Sequence, residues 1–287
     1  MAHLNINSIQ NKFGEIAEIT RKSRAQIMII SETKIDSTYS DSQFMIPGYS
    51  LLRNDRKKGG GGILAYISSD VTSRRMKLQR SYKTFEPIVF EVELKVRSIV
   101  VIGIYRSPSI AFTISYQQQL EEELNHICTW ASLHKRDLVL LGDLNLDRLQ
   151  LDKAEGKLLR DLEETQEMVC LITKPTRIQR LGNCKTESLI DVILTNQPKL
   201  FIDSGVYEPG LSNHALVYGF LSEKICRSKG KVVKFRSMKN FEEEAFENDL
   251  GEAPWHVGEI FDDVDDRGYF ISTLLAQIID EHRLKRK

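Results

Sequence analysis

The chain has 287 residues, 41% of them hydrophobic and 28% charged, a composition that supports one large folded domain or two modest ones and excludes a disordered chain. Lysine plus arginine equals aspartate plus glutamate, 40 against 40, so no global charge marks a nucleic-acid binder. The balance hides an asymmetry: eleven acids and no lysine or arginine lie between Glu242 and Asp266, leaving the remainder net basic and compatible with a polyanionic substrate.

The N-terminal stretch MAHLNINSIQNKF has no apolar signal core, and no apolar run reaches membrane-spanning length. Cys128, Cys170, Cys184 and Cys226 are scattered without a C-x-x-C pair, as expected of reduced thiols in a soluble intracellular protein, cytosolic or nuclear. In chain order, a short first strand carries Asn5 and Asn7 at alternate positions and therefore on one side. Asn7 or Ser8 would equally serve as the N-cap of the next helix, on which Ile9, Phe13 and Ile16 share a face. Short runs rich in Val and Ile follow as strands: 27–30, 62–67, 88–94, 99–104, 138–141 and 189–194. The glycine run 59–62 lacks the Lys-Ser/Thr of a P-loop and precedes a strand, so it is a flexible approach to a hairpin. Runs 88–94 and 99–104 are too close for anything but a hairpin, whereas a helix with Tyr116, Leu120, Leu124, Ile127 and Ala131 on one face separates 99–104 from 138–141. Another helix, over 154–167, aligns Leu158, Leu159 and Leu162. A mixed α/β layering results, with packed sheets inside and helices outside. A boundary falls at 222, dividing 1–222 from a helical, partly acidic segment 223–287 with too little apolar surface for its own core.

Glu32, Tyr105 and Asp143 each stand just past an apolar strand, where side chains of layered α/β proteins converge on one rim. In Gly142-Asp143-Leu144-Asn145 the glycine permits a tight turn. The acid and the amide can then bind a cation or orient a water, or simply close the strand with an Asx turn. Asp191 falls within an apolar strand and requires a partner; His214, heading another strand, supplies one or serves a structural role. No serine or cysteine nucleophile and no zinc spacing is evident. Acids, amides and one histidine suit metal-assisted hydrolysis of a phosphate ester.

In order, LNIN (Leu4–Asn7), SET (Ser31–Thr33), IYRSP (Ile104–Pro108), GDLN (Gly142–Asn145), LID (Leu189–Asp191) and SNH (Ser212–His214) resemble the signature of the endonuclease/exonuclease/phosphatase superfamily, which includes DNase I. HLNINSI, ISETKID, IPGYSLLRNDR, PTR at Pro175–Arg177 and SLIDVILTN are similar to the endonuclease domain of non-LTR, LINE-type retrotransposons. FRSMKNF, EAPW and FDDVDD resemble the connector that precedes a reverse transcriptase in such elements; none follows here, so a fragment of a longer reading frame is expected, with the first strand truncated.

The resemblance implies a four-layer α/β sandwich of two mixed β-sheets flanked by helices, and nicking of DNA to leave a 3′ hydroxyl that primes reverse transcription. It implies that Glu32 holds Mg²⁺ (with Mn²⁺ as substitute) beside Asn7, and that Asp143 positions or deprotonates the attacking water with Asn145 and Asn5. Tyr105 and His214 would contact the phosphate, Asp191 would orient His214, and Arg106, Arg177 and Arg53 would meet the DNA backbone. Arg56, Lys57 and Arg180 are further candidates for that backbone. The family's Ser-Asp-His is here Ser212-Asn213-His214, which predicts weakened metal binding or a rate loss of about 10²–10³. Ser107 stands where a proline is common, a mild change. An active endonuclease, an inert transposon-derived fragment that keeps DNA affinity, and a relative acting on lipid or inositol phosphates are the three expectations, with no membrane association and no oligomeric state legible.

Overall fold

The computed structural model describes residues 1–108, 112–135, 137–181, 184–223, 235–236, 241–282 and 285–286. The chain divides into two units, Met1–Ser228 and Lys229–Lys287.

The larger unit is built on two six-stranded sheets. In the first, β1 (Ala2–Asn5) lies parallel to β2 (Ile27–Ser31), which pairs antiparallel with β4 (Ile63–Ser68), followed by β3 (Tyr49–Asn54) at the edge. On the other side of β1 come β14 (Leu216–Leu221) and β13 (Phe201–Tyr207). In the second sheet, β5 (Ser73–Arg75), β6 (Glu86–Glu93) and β7 (Ser98–Tyr105) form an antiparallel meander. Next come β8 (Asp137–Asp143), parallel to β7, then β12 (Asp191–Thr195) and β9 (Val169–Cys170). The expected β6–β7 hairpin and the parallel β7–β8 pair with a helical crossover are both present. A separate hairpin, β10 (Arg177–Leu181) and β11 (Cys184–Ser188), follows the PTR segment.

Period-two alternation decides which residues face where. Ile27 and Ile29 of β2 join one core with Val101, Val139 and Leu141 of the second sheet, on the face where Gly103 meets Ile29, so the sheets are packed face to face. Met28 and Ile30 point the other way, into a smaller core with Ile16 and Ala17 of α1 (Phe13–Lys22). Leu120, Leu124 and Ile127 of α2 (Ile114–His134) and Leu158, Leu159 and Leu162 of α3 (Ala154–Thr165) are buried with the second sheet. The result is the four-layer α/β sandwich, helix–sheet–sheet–helix.

Two local expectations are corrected. The first helix begins at Phe13 and has no side-chain cap, so neither Asn7 nor Ser8 caps it, and Ile9 is buried in the turn before it. Both residues have positive φ, 50° and 89°, so the strand ends at Asn5 instead of continuing through Asn7. Asp191 is the first residue of its strand, not an interior one, because Leu189 and Ile190 belong to the short connection that follows β11.

In the smaller unit, α4 (Glu243–Glu252) has no buried residue and α5 (Val264–His282) buries only Ile278. Trp255 donates from its indole to Leu250 O at 2.8 Å, and His282 meets Asp249 at 2.7 Å. Two residue pairs, Phe235–Arg236 (β15) and Lys285–Arg286 (β16), form a short antiparallel ladder. Among the described residues no helix is long and apolar enough to cross a membrane. Cys128 and Cys170 are free, buried thiols.

Gly142 is where the sandwich is least forgiving. Its φ is +154°, and a Cβ placed there would lie 1.8 Å from the Ile104 carbonyl oxygen of the neighbouring strand. Gly142→Ala is expected to destabilise the larger unit by about 3 kcal/mol, read as a lower urea midpoint without a change in slope.

Candidate active site

The strands that end at one rim of the sandwich bring Asn5, Tyr105, Asp143 and Asp191 together. Tyr105 and Asp191 both stand opposite Asp143 in the sheet ladder, which places the three side by side on adjacent strands. Asn5 reaches across from the first sheet and donates from Nδ2 to Asp143 Oδ2 at 2.8 Å and to Glu32 Oε2 at 3.0 Å. One amide therefore ties two carboxylates from different sheets. The other Asp143 oxygen, Oδ1, accepts from Asn145 N at 2.9 Å. That bond is the Asx turn that GDLN allows as an alternative, so the turn and the site coexist. Asn145 Nδ2 donates to Arg106 O at 2.7 Å.

His214 closes the group. Its Nδ1 donates to Asp191 Oδ2 at 2.9 Å and lies 3.9 Å from Asp143 Oδ2. Three residues that the quoted motifs contain, but to which the sequence gives no role, hold this arrangement. Ser212 Oγ donates to Asn5 O at 2.6 Å, pinning the Ser-Asn-His segment against β1. Thr176 Oγ1 accepts from Ile190 N and Asp191 N at 3.2 and 3.1 Å, which is the structural work of the Pro-Thr-Arg motif. His3 is fully buried, with Nε2 2.9 Å from Ser31 Oγ and Nδ1 3.5 Å from Asp191 Oδ1. None of these hydroxyls or the imidazole occupies a position that periodicity singles out; the partners are up to 207 residues apart.

Glu32 and Asn7 lie beside Asn5 on the solvent side. Glu32 Oε1 is 3.1 Å from the Lys34 ammonium, which also donates to Asn7 Oδ1. A cation therefore already stands against this pair of hard oxygens. The backbone is forced here: Asn7, Glu32, Lys34 and Asn145 have φ of 50°, 55°, 58° and 48°. Such conformations cost of order 1 kcal/mol for non-glycine residues and persist only where surroundings fix them. The glycine run does some of that fixing, since Thr33 N and Lys34 N donate to Gly62 O and Gly61 O at 3.2 and 2.8 Å.

Electrostatics follow from burial. Burial, then the Asp191 charge, pushes the Asp143 carboxyl up to about 7. Burial would lower the His214 imidazole, but Asp191 outweighs it by charge and hydrogen bond, and the net shift is upward. Burial raises the Tyr105 hydroxyl, with Glu32, Asp143 and Glu86 adding to the effect. One oxygen of Asp143, one of Asp191 and a ring nitrogen of His214 all lie within 4.8 Å of one another, close enough to hold a cation or a proton.

The basic residues divide. Arg177 is half-buried beside His214, with which it forms an isolated β-bridge, and its Nε is buried without an acceptor. Arg106 is only 3% exposed, because alternation turns it away from the face that Tyr105 takes. Its guanidinium donates to Leu144 O and Asn145 O at 3.1 Å and to the Tyr116 hydroxyl at 3.1 Å, so it braces the GDLN turn instead of meeting DNA. Arg53 is likewise committed, to Asp41 and Asp55 at 2.6 Å each and to two backbone carbonyls. Arg56 pairs with Glu86 at 3.2 Å, Lys57 is exposed, and the Arg180 side chain lies outside the described residues.

Two sheets packed face to face, with amides and acids from both gathered at one rim and helices on both outer faces, form the DNase I-like fold of endonucleases, exonucleases and phosphatases. The sequence model of a family described as endonuclease-reverse transcriptase matches residues 99–218. The matched stretch runs from β7 to β14 and contains Tyr105, Asp143, Asn145, Asp191 and His214. The endonuclease domain of TRAS1, a telomere-specific non-LTR retrotransposon, superposes with a TM-score of 0.58 at 17% identity, covering 77% of this chain and 97% of that one. The AP endonuclease LMAP of Leishmania major superposes with a TM-score of 0.60 at 12% identity, over 79% and 87%. A 3′ phosphatase from Neisseria, bound to a product DNA hairpin, gives 0.56 at 16% identity, over 77% and 98%. No curated protein sequence matches the chain.

A buried acid whose folded pKa is raised destabilises the fold once pH exceeds the unfolded value of 3.8, and the cost is complete above about 7. Asp143→Asn is therefore expected to raise stability at pH 8 by about 2 kcal/mol, after allowing for the Asn5 and Asn145 donors that an amide meets less well. The gain should vanish near pH 4, as thermal unfolding midpoints across that range will show.

Proposed function

We propose that the chain is a Mg²⁺-dependent endonuclease of the retrotransposon type, which nicks one DNA strand and leaves a 3′ hydroxyl for a reverse transcriptase to extend. The observation that carries the proposal is the buried Asn5–Asp143–Asp191–His214 group at the rim of a DNase I-like sandwich. DNA as substrate draws support from the DNA-bound Neisseria phosphatase of the same fold and from Arg177, a half-buried cation whose backbone bridges to His214 and whose charge acts on it.

Glu32 and Asn7 would hold the metal, since their oxygens suit a hard cation and already share the Lys34 ammonium. When bound, the ion supplies Lewis-acid polarisation of a phosphate oxygen and screens the surrounding acids. Asp143, with a carboxyl near 7, accepts the proton of the attacking water at neutral pH. Asn5 and Asn145 fix that carboxylate so that no reorganisation is needed as charge develops. Asp191 holds His214 through Nδ1, which leaves Nε2 as the nitrogen that meets the scissile phosphate. Tyr105, kept protonated, donates from its hydroxyl to the same group.

A second reading has a specific observation behind it. Asn213 is exposed beside His214 on the wall of a cleft that also includes Thr176 and Ile178, and it places an amide where the resembled family has a carboxylate. A copy disabled at this position would keep the fold and DNA affinity without turnover. Nuclear action beside a reverse transcriptase belongs to the first reading, and membrane association to neither.

Nicking of supercoiled plasmid in Mg²⁺ separates the two. The parent chain is expected to nick, and His214→Ala to lose about 10²–10³ of the rate. Asn213→Asp should nick faster than the parent. Nicking by Asn213→Asp alone would identify a disabled copy. Folded protein with no nicking by any of the three would overturn the assignment.

A further inference from the structure

His3 is a wholly buried titratable group at the site for which the proposed chemistry has no use. It projects from β1 into the space between the sheets and touches both. On one side Nε2 lies 2.9 Å from Ser31 Oγ. On the other, Nδ1 and Asp191 Oδ1 are 3.5 Å apart, and each is a buried polar atom without a hydrogen-bond partner. A donor and an acceptor left bare in the same buried space, facing each other, are complementary. A few tenths of an ångström closes the bond.

Chemistry fixes where the proton sits. Burial pushes the His3 imidazole down to about 4, so the ring is neutral at physiological pH and carries one proton. On Nε2, that proton would leave the Nδ1 lone pair aimed at a buried carboxylate, which is repulsive in a low dielectric. On Nδ1, it meets Asp191, and Nε2 becomes the acceptor for the Ser31 hydroxyl. Only the second arrangement satisfies every atom.

We propose that His3 is a positioning residue: it donates from Nδ1 to Asp191 Oδ1, and through that bond limits how tightly Asp191 binds the proton of His214. The series runs Ser31 Oγ–H to His3 Nε2, His3 Nδ1–H to Asp191 Oδ1, and His214 Nδ1–H to Asp191 Oδ2. Asp191 thus takes a proton donor on each oxygen. A second donor spreads the carboxylate charge and weakens its hold on the first. The other charged groups facing His214 are Asp143 from β8 and Arg177 from β10, and neither touches His3. The catalytic consequence rests on the nuclease reading above; the hydrogen-bonded series does not.

The test follows the His214 ring by NMR titration of the full chain in EDTA, with thermal unfolding to confirm that each variant is folded. His3→Leu removes the donor and is expected to raise the His214 midpoint by about one pH unit, tenfold tighter proton binding. His3→Asn puts an amide nitrogen where Nδ1 stood and should return the midpoint towards the parent. His3→Gln reaches the Nε2 position instead and should resemble His3→Leu. The alkaline limb of the nicking profile should move in step. A folded His3→Leu chain with the parental midpoint overturns the proposal, as does His3→Asn no closer to the parent than His3→Gln. If His3→Leu does not fold, the Asn and Gln pair carries the test alone. Should the midpoints move as expected while neither the parent nor Asn213→Asp nicks DNA, the nuclease reading falls and the role of His3 stands.

Discussion

Everything at the rim follows from one electrostatic constraint: Asp143 and Asp191 are wholly buried and stand directly opposite each other on adjacent strands. Two like charges in that position are costly, and the surrounding residues form the set that makes them tolerable. Asn5 and the Asn145 amide take the oxygens of the first acid, while His214 and the Thr176-anchored turn secure the second. A buried ammonium in place of these donors would offset one of the two charges and lower the affinity of Asp143 for a proton. The charge is kept, and the fold bears its cost.

Layer order, the hairpins and the crossover were legible in the sequence because they rest on period-two and period-3.6 patterns. The convergence of Glu32, Tyr105 and Asp143 was legible for a related reason, since chain position relative to a strand end says which rim a side chain joins. The direction of a side chain beyond the strand end was not. Arg106 was expected to face a polyanion and instead spans the GDLN turn, because the residue after Tyr105 must take the opposite face. Arg53, on an edge strand, is closed in by Asp41 and Asp55 from the loops on either side. In both cases local sequence shows a basic residue, and only the assembled fold shows the carboxylates and carbonyls that engage it.

The auxiliary hydroxyls fall beyond sequence reasoning for another reason. Ser212, Thr176 and Ser31 each act through bonds to partners distant in the chain, and serine or threonine at a strand boundary is common enough to carry no signal. His3 is harder still, since its position in a four-residue strand gives no hint that the opposite sheet supplies its partner. Motif order identified the group; the bonds that make it rigid had to be seen.

Those bonds cross from one sheet to the other. Asn5 and His3 belong to the first sheet, Asp143 and Asp191 to the second, and inside the sandwich Gly103 lets Ile29 approach so closely that a Cβ would lie 2.8 Å from its Cδ1. The rim group is therefore a gauge of sheet registration. A slip of one sheet over the other by about half an ångström, from a methyl group added deep in the core, would part Asn5 from Asp143 and His3 from Asp191 together. Damage with no apparent link to the chemistry would then be felt first at the rim, well before the fold itself gave way.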